Sequence, residues 1–168
     1  LYTALPHLNR RYGLKMDNRQ FHFIYKKMSS RVADMVIRRL RLKHNSCSMV
    51  EKEQIARHLL RNRSEGGVYF FIADQYPSKG ASVEMDFLNQ PTIVFNGAEV
   101  LARKLSLPVV FVSVERRKRG HYNAEFTKIC DDASQCEEGF VTGEYIRLLE
   151  ESINKNRSNW LWSHRRWK

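Results

Sequence analysis

Residues 68–73 read VYFFIA, six apolar side chains in a row, and the run stops on Asp74-Gln75. A half-exposed strand alternates apolar with polar residues, so an unbroken run reads as a strand buried on both faces. Such a sheet needs helices above and below it, and the flanking segments carry them. After Ser29 or Ser30, each a good N-cap, Val32, Met35, Val36 and Leu40 recur at helical spacing. Arg31, Arg38, Arg39 and Arg41 fill the other face. Ser48 with Glu51 has the capping-box spacing, and Ile55, Leu59 and Leu60 give that helix its apolar stripe before Gly66-Gly67. FHFIY at 21–25, PTIVF at 91–95 and the segment 108–114 read as further strands. Asn96, with Glu99 three residues on, opens a helix carrying Val100, Leu101 and Leu105. Tyr122, Ala124 and Phe126 alternate as in an edge strand, and Thr142 opens a last helix with Ile146, Leu149 and Ile153. Strands separated by single helices predict an α/β fold: a mixed, largely parallel sheet flanked by helices, in one domain over 1–168.

The apolar fraction of 42% suits a globular fold and argues against disorder. Lys and Arg number 29 against 18 Asp and Glu, a formal charge of +11. That excess predicts a polyanionic partner: nucleic acid, an anionic membrane surface or an acidic protein. Cys47, Cys130 and Cys136 have neither CxxC spacing nor a histidine at metal spacing, so they read as reduced thiols and no metal is expected. No run of 18 apolar residues exists to span a bilayer.

Ligands of open α/β sheets gather beyond the carboxyl ends of strands, where Asp74 and Gln75 fall. Asp74 can equally begin a turn. Gly97 and Glu99 lie at a helix start, suited to an anion or to plain capping. Arg116, Arg117, Lys118 and Arg119 form a basic turn between two strands, either solvated or a docking point for an acidic partner. Arg41, if it faces the strand ends, can clamp a phosphate with its planar fork. P-loop, GxSxG, HExxH and GxGxxG patterns are absent.

Read in order, FIADQYP, DFLNQPTIVFNGAEVLARKL, LPVVFVSVERRKRGHYNAEF and LLEESINKNRSNWLWSHRRWK closely resemble the late acyltransferases of lipid A biosynthesis. The likeness runs from about Tyr25 to Lys168, and the ending WLWSHRRWK, with His164 and Arg165, is its most specific part. Asp74-Gln75 falls on the family's D-Q pair, Gly97 and Glu99 on its G-x-E, Pro108 on a strand-opening proline, and Arg119-Gly120 with Tyr122 on its R-G-x-Y. Arg41 lies in LRLKHN, where the family's second arginine and glycine are missing.

The resemblance implies a glycerol-phosphate-acyltransferase-like fold. It also implies transfer of a fatty acyl chain from acyl carrier protein to a lipid A precursor, without a cofactor, at the cytoplasmic face of the bacterial inner membrane. Expected partners are acyl carrier protein, the precursor and the anionic membrane surface, and no nucleic acid. The family's base is a histidine with Asp or Glu five residues on. Here His7, His22, His44, His58 and His121 are followed at that distance by Tyr12, Lys27, Met49, Arg63 and Phe126. The chain begins at Leu1, and the expectation is a C-terminal portion with that motif and a membrane anchor upstream. It then has no catalytic residue of its own, Asp74 supporting, and Arg41, Asp74, Gln75, Gly97, Glu99, Arg119, His164 and Arg165 are the substrate-binding candidates. The alternatives are a non-catalytic lipid- or acyl-carrier-binding homologue and a basic nucleic-acid-binding module. Trp160, Trp162 and Trp167 suit either a headgroup boundary or core packing.

Overall fold

A computed structural model describes residues 21–42, 48–77 and 80–167, the Arg41 side chain excepted. The chain divides into two compact units, 1–72 and 73–168. No described helix is long and apolar enough to cross a membrane.

The first unit is built on a parallel sheet. Strand β1 (Phe21–Tyr25) lies between β2 (Ser48–Glu51) and β3 (Val68–Phe70), with helix α1 (Arg31–Arg41) after β1 and α2 (Ile55–Arg61) after β2. Parallel neighbours need a crossover, and the helices supply it. Alternation along β1 sends Phe21, Phe23 and Tyr25 to one face and His22 to the other. Phe23 stacks on Phe70 at 4.7 Å, and His22 stacks on Tyr69 at 4.5 Å. Ser30 caps α1, accepting from the Ala33 amide at 3.3 Å. Ser48 and Glu51 do not open a helix. Val50 is buried and Ser48 lies opposite His22, so burial and pairing in the sheet override the capping pattern. The strand expected over 68–73 stops at Phe70, and Ile72 is exposed.

The second unit is antiparallel. Strand β4 (Ser82–Phe87) pairs with β5 (Gln90–Phe95), and β6 (Val109–Lys118) with β7 (His121–Cys130). Leu88 and Asn89, with φ of 51° and 60°, make a two-residue turn, and Gly120 at φ 78° turns the second hairpin. So short a connection joins only antiparallel strands, which is why the fold is α/β but only partly the parallel sheet expected. Helix α3 (Gly97–Leu105) follows β5, and α4 (Phe140–Lys155) follows β7. Phe87, Val94, Ile146 and Ile153 form the main core here, with Trp160 and Trp167 against it. Ala102, Ala133 and Val141 form a second cluster.

Candidate functional site

The ending of the chain is folded into the second unit. Trp160 and Trp167 lie 5.8 and 6.3 Å from the Phe87 ring, and Trp167 donates its indole N–H to the Thr92 hydroxyl at 2.8 Å. Thr92 is buried, so this bond satisfies an indole that packs against the core. Trp162 faces solvent and donates to the Arg157 carbonyl at 2.8 Å. Core packing therefore accounts for two of the three tryptophans.

Between them the chain crosses the segment that follows VYFFIA. His164 Nε2 accepts from the Tyr76 amide at 3.1 Å, which places the lone pair on Nε2. Arg165 points to solvent. Arg166 is 1% exposed, and its Nε, Nη1 and Nη2 find no hydrogen-bond partner among the described residues. Its guanidinium lies 5.6 Å from the centre of the Phe87 ring. Asp74 Oδ1 is likewise buried without such a partner. The two groups act on one another and on Tyr145 of α4 through space. Burial pulls the Arg166 pKa down, while Tyr145 and Asp74 raise it. Burial pushes the Tyr145 hydroxyl far above the usual tyrosine range, Asp74 adds to that, and Arg166 opposes it. A buried cation without hydrogen bonds is costly unless an aromatic face and a nearby carboxylate offset the lost water. Phe87 and Asp74 are positioned to do so.

The remaining candidates separate by role. Glu99, 4% exposed, accepts from the Gly139 amide at 2.6 Å, the Thr142 amide at 2.9 Å and the Thr142 hydroxyl. It caps α4, whose own N-cap, Gly139, has no side chain to do so. A Cβ on Gly97 would meet the Phe95 ring at 2.4 Å, so that glycine makes room for an aromatic ring. Gln75 is exposed, and Arg119 is exposed at the tip of the β6–β7 hairpin. The side chain of Arg41 lies outside the described residues. An open groove of about 610 Å³ is lined by Asn89, Gln90, Glu150, Arg157, Trp162 and Trp167, among others. None of the polar candidates from the sequence lines it. Arg166 and Tyr145 are the site members that sequence reasoning passed over. The signal for Arg166 was its fixed place in the W-x-W-x-H-x-R-W-K pattern of the ending, where the site reading fell on Arg165 beside it.

The family model for bacterial lipid A biosynthesis acyltransferases matches residues 11–168, which takes in both units and the whole Asp74–Arg166 neighbourhood. The chain belongs to that family. None of the curated proteins matches it. In this lipid A biosynthesis acyltransferase, the WLWSHRRWK ending is tied to the loop after VYFFIA through His164 and to β5 through Trp167.

Proposed function

We propose that the protein takes part in moving a fatty acyl chain from acyl carrier protein to a hydroxyl on a hydroxyacyl chain of a lipid A precursor. We place the reaction at the cytoplasmic face of the bacterial inner membrane. The reading rests on one observation above others: the family match spans 11–168 and brings with it Asp74, held in a buried polar cluster just after an apolar run. In this reading residues 1–168 hold and shape substrate, and the base that strips the acceptor hydroxyl is not among their histidines. Arg41, Gln75, Arg119 and Arg165 remain proposed contacts for phosphate, acidic sugar or acidic carrier.

The chemistry balances without a cofactor. The acceptor oxygen attacks the thioester carbonyl as its proton goes to the base, and the carrier sulfur leaves with the electron pair of the broken carbon–sulfur bond and takes that proton to become the free thiol. In the whole protein, Asp74→Asn should lower transfer at least tenfold, read as loss of the mass gain of one acyl group on the precursor. Unchanged turnover would remove Asp74 from the site. A second reading, a non-catalytic homologue that binds lipid or acyl carrier protein, is favoured by the engagement of His164 Nε2 with the Tyr76 amide. Binding of acyl carrier protein by the whole protein with no mass gain on any precursor would select it.

A further inference from the structure

Helix α1 is turned the opposite way from an ordinary amphipathic helix on a sheet. Its polar side faces its own unit. Asp34, 7% exposed, accepts from the Met28 amide at 3.0 Å. Arg38 donates to the buried Tyr25 hydroxyl at 2.9 Å, with its guanidinium 5.6 Å from the centre of that ring. The apolar side faces out: Val32 is 67% exposed, Met35 63%, Val36 49% and Leu40 62%, with Met28 at 44% just ahead of the helix. At 3.6 residues per turn, Arg39 falls inside this stripe and Arg31 at its edge, rather than on the opposite face expected from the sequence, and both are exposed. Lys26 is exposed just upstream.

An apolar stripe in water is unfavourable, and here two polar contacts hold the helix in that orientation. The cations within and beside the stripe identify the covering surface. A duplex or single strand would use the arginines and leave five apolar side chains in water. A neutral protein groove would bury the arginines without partners. An anionic bilayer satisfies both, with apolar groups at the headgroup–acyl boundary and arginines extended to lipid phosphates. We infer that α1 seats the protein on an anionic phospholipid surface, lying in its plane with Met28, Val32, Met35, Val36 and Leu40 inserted and Arg31 and Arg39 on phosphate. This rests on the membrane location proposed above and adds the surface that makes the contact.

The test is sedimentation of the 168-residue chain with vesicles of phosphatidylglycerol and phosphatidylcholine, against phosphatidylcholine alone. The expected result is preference for the anionic vesicles. The double change Val36→Ser and Leu40→Ser should weaken partitioning roughly tenfold or more. Arg31→Gln and Arg39→Gln should each cost about fivefold on anionic vesicles and leave neutral ones unaffected. Because these side chains are exposed, the melting temperature should stay in place for every variant. Sedimentation insensitive to the serine changes, or binding lost only with Arg116→Gln and Lys118→Gln in the hairpin turn, would overturn the assignment. So would a fall of several degrees in melting temperature, which would show the stripe covered by other parts of the protein, or a dimer dissolved by the serine changes. Affinity for acyl carrier protein without vesicles tests the proposed function separately, and the α1 variants should leave it unchanged.

Discussion

Glu99 holds the start of α4 from another helix: its carboxylate takes the Gly139 and Thr142 amides at 2.6 and 2.9 Å. Glu99→Ala should therefore leave buried donors at that helix end unsatisfied, at a cost of about 3 kcal/mol. Glu99→Gln, which keeps an acceptor, should cost less. The midpoint of denaturant unfolding measures both, and an unmoved midpoint for the alanine variant would show the cap is idle.

Arg166 and Asp74 should behave as one unit. Removing either leaves the other buried without its counter-charge, and Arg166→Met should cost about 3 kcal/mol. Arg166→Met combined with Asp74→Asn should cost less than the sum, with a coupling of about 1 kcal/mol or more. Arg165→Met, at an exposed position, should stay within about 0.5 kcal/mol. Strictly additive effects in the cycle would show that the pair does not interact.

His22 should make the fold sensitive to acid. Its ring, 8% exposed, is bonded through Nδ1 to the Ser48 hydroxyl at 2.5 Å. Burial lowers its pKa, the nearby His58 lowers it further, and Glu65 opposes them. The unfolded chain thus binds this proton more readily than the folded one. The stability contributed by neutral His22 is full above its ordinary value of about 6.5 and declines as pH falls below it. Unfolding followed at neutral pH and near pH 5 should show the loss, and His22→Gln should shrink it. An equally steep acid decline in the variant would assign the effect elsewhere.

Gly97→Ala places a methyl group against the Phe95 ring. The ring must move, and overpacking of this kind should destabilise by about 1–3 kcal/mol. Adding Phe95→Leu should restore part of that loss. A melting temperature unchanged by Gly97→Ala would show that the ring yields freely.

The basic turn concerns rate of association more than fold. Arg116, Lys118 and Arg119 are exposed, and Arg117 lies 3.7 Å from Glu115. Changing Arg116 and Lys118 to Gln should slow association with acyl carrier protein and flatten its salt dependence, with stability unmoved. Rates that do not respond would leave the turn simply solvated.

Much of the chain was legible as sequence because local patterns carried it. Ser30 followed by helical spacing marked α1, FHFIY marked β1, and the alternation at Tyr122, Ala124 and Phe126 marked β7. The family likeness was legible in the ordered motifs, above all WLWSHRRWK. Alternation at Val83, Met85 and Phe87 also marked a strand, but it passed unread because the turn that closes it, Leu88 and Asn89, takes the left-handed region without glycine.

What the sequence by itself determined is where apolar and polar residues recur along each segment, since that periodicity is a property of neighbours in the chain. Only the tertiary structure decided which side of a pattern faces inward and which distant group completes it. Ser48 and Glu51 have the spacing of a cap, yet β1 recruits them into a sheet through Ser48 opposite His22. The apolar stripe of α1 faces out because Asp34 and Arg38 find partners in the Met28 amide and Tyr25. Glu99 reads as the cap of its own helix and serves α4 instead, and Arg166 rather than Arg165 lies buried beside Phe87. A pattern gives each segment its faces, but burial and hydrogen-bond satisfaction are settled between segments far apart in sequence, and those contacts exist only once the chain has folded.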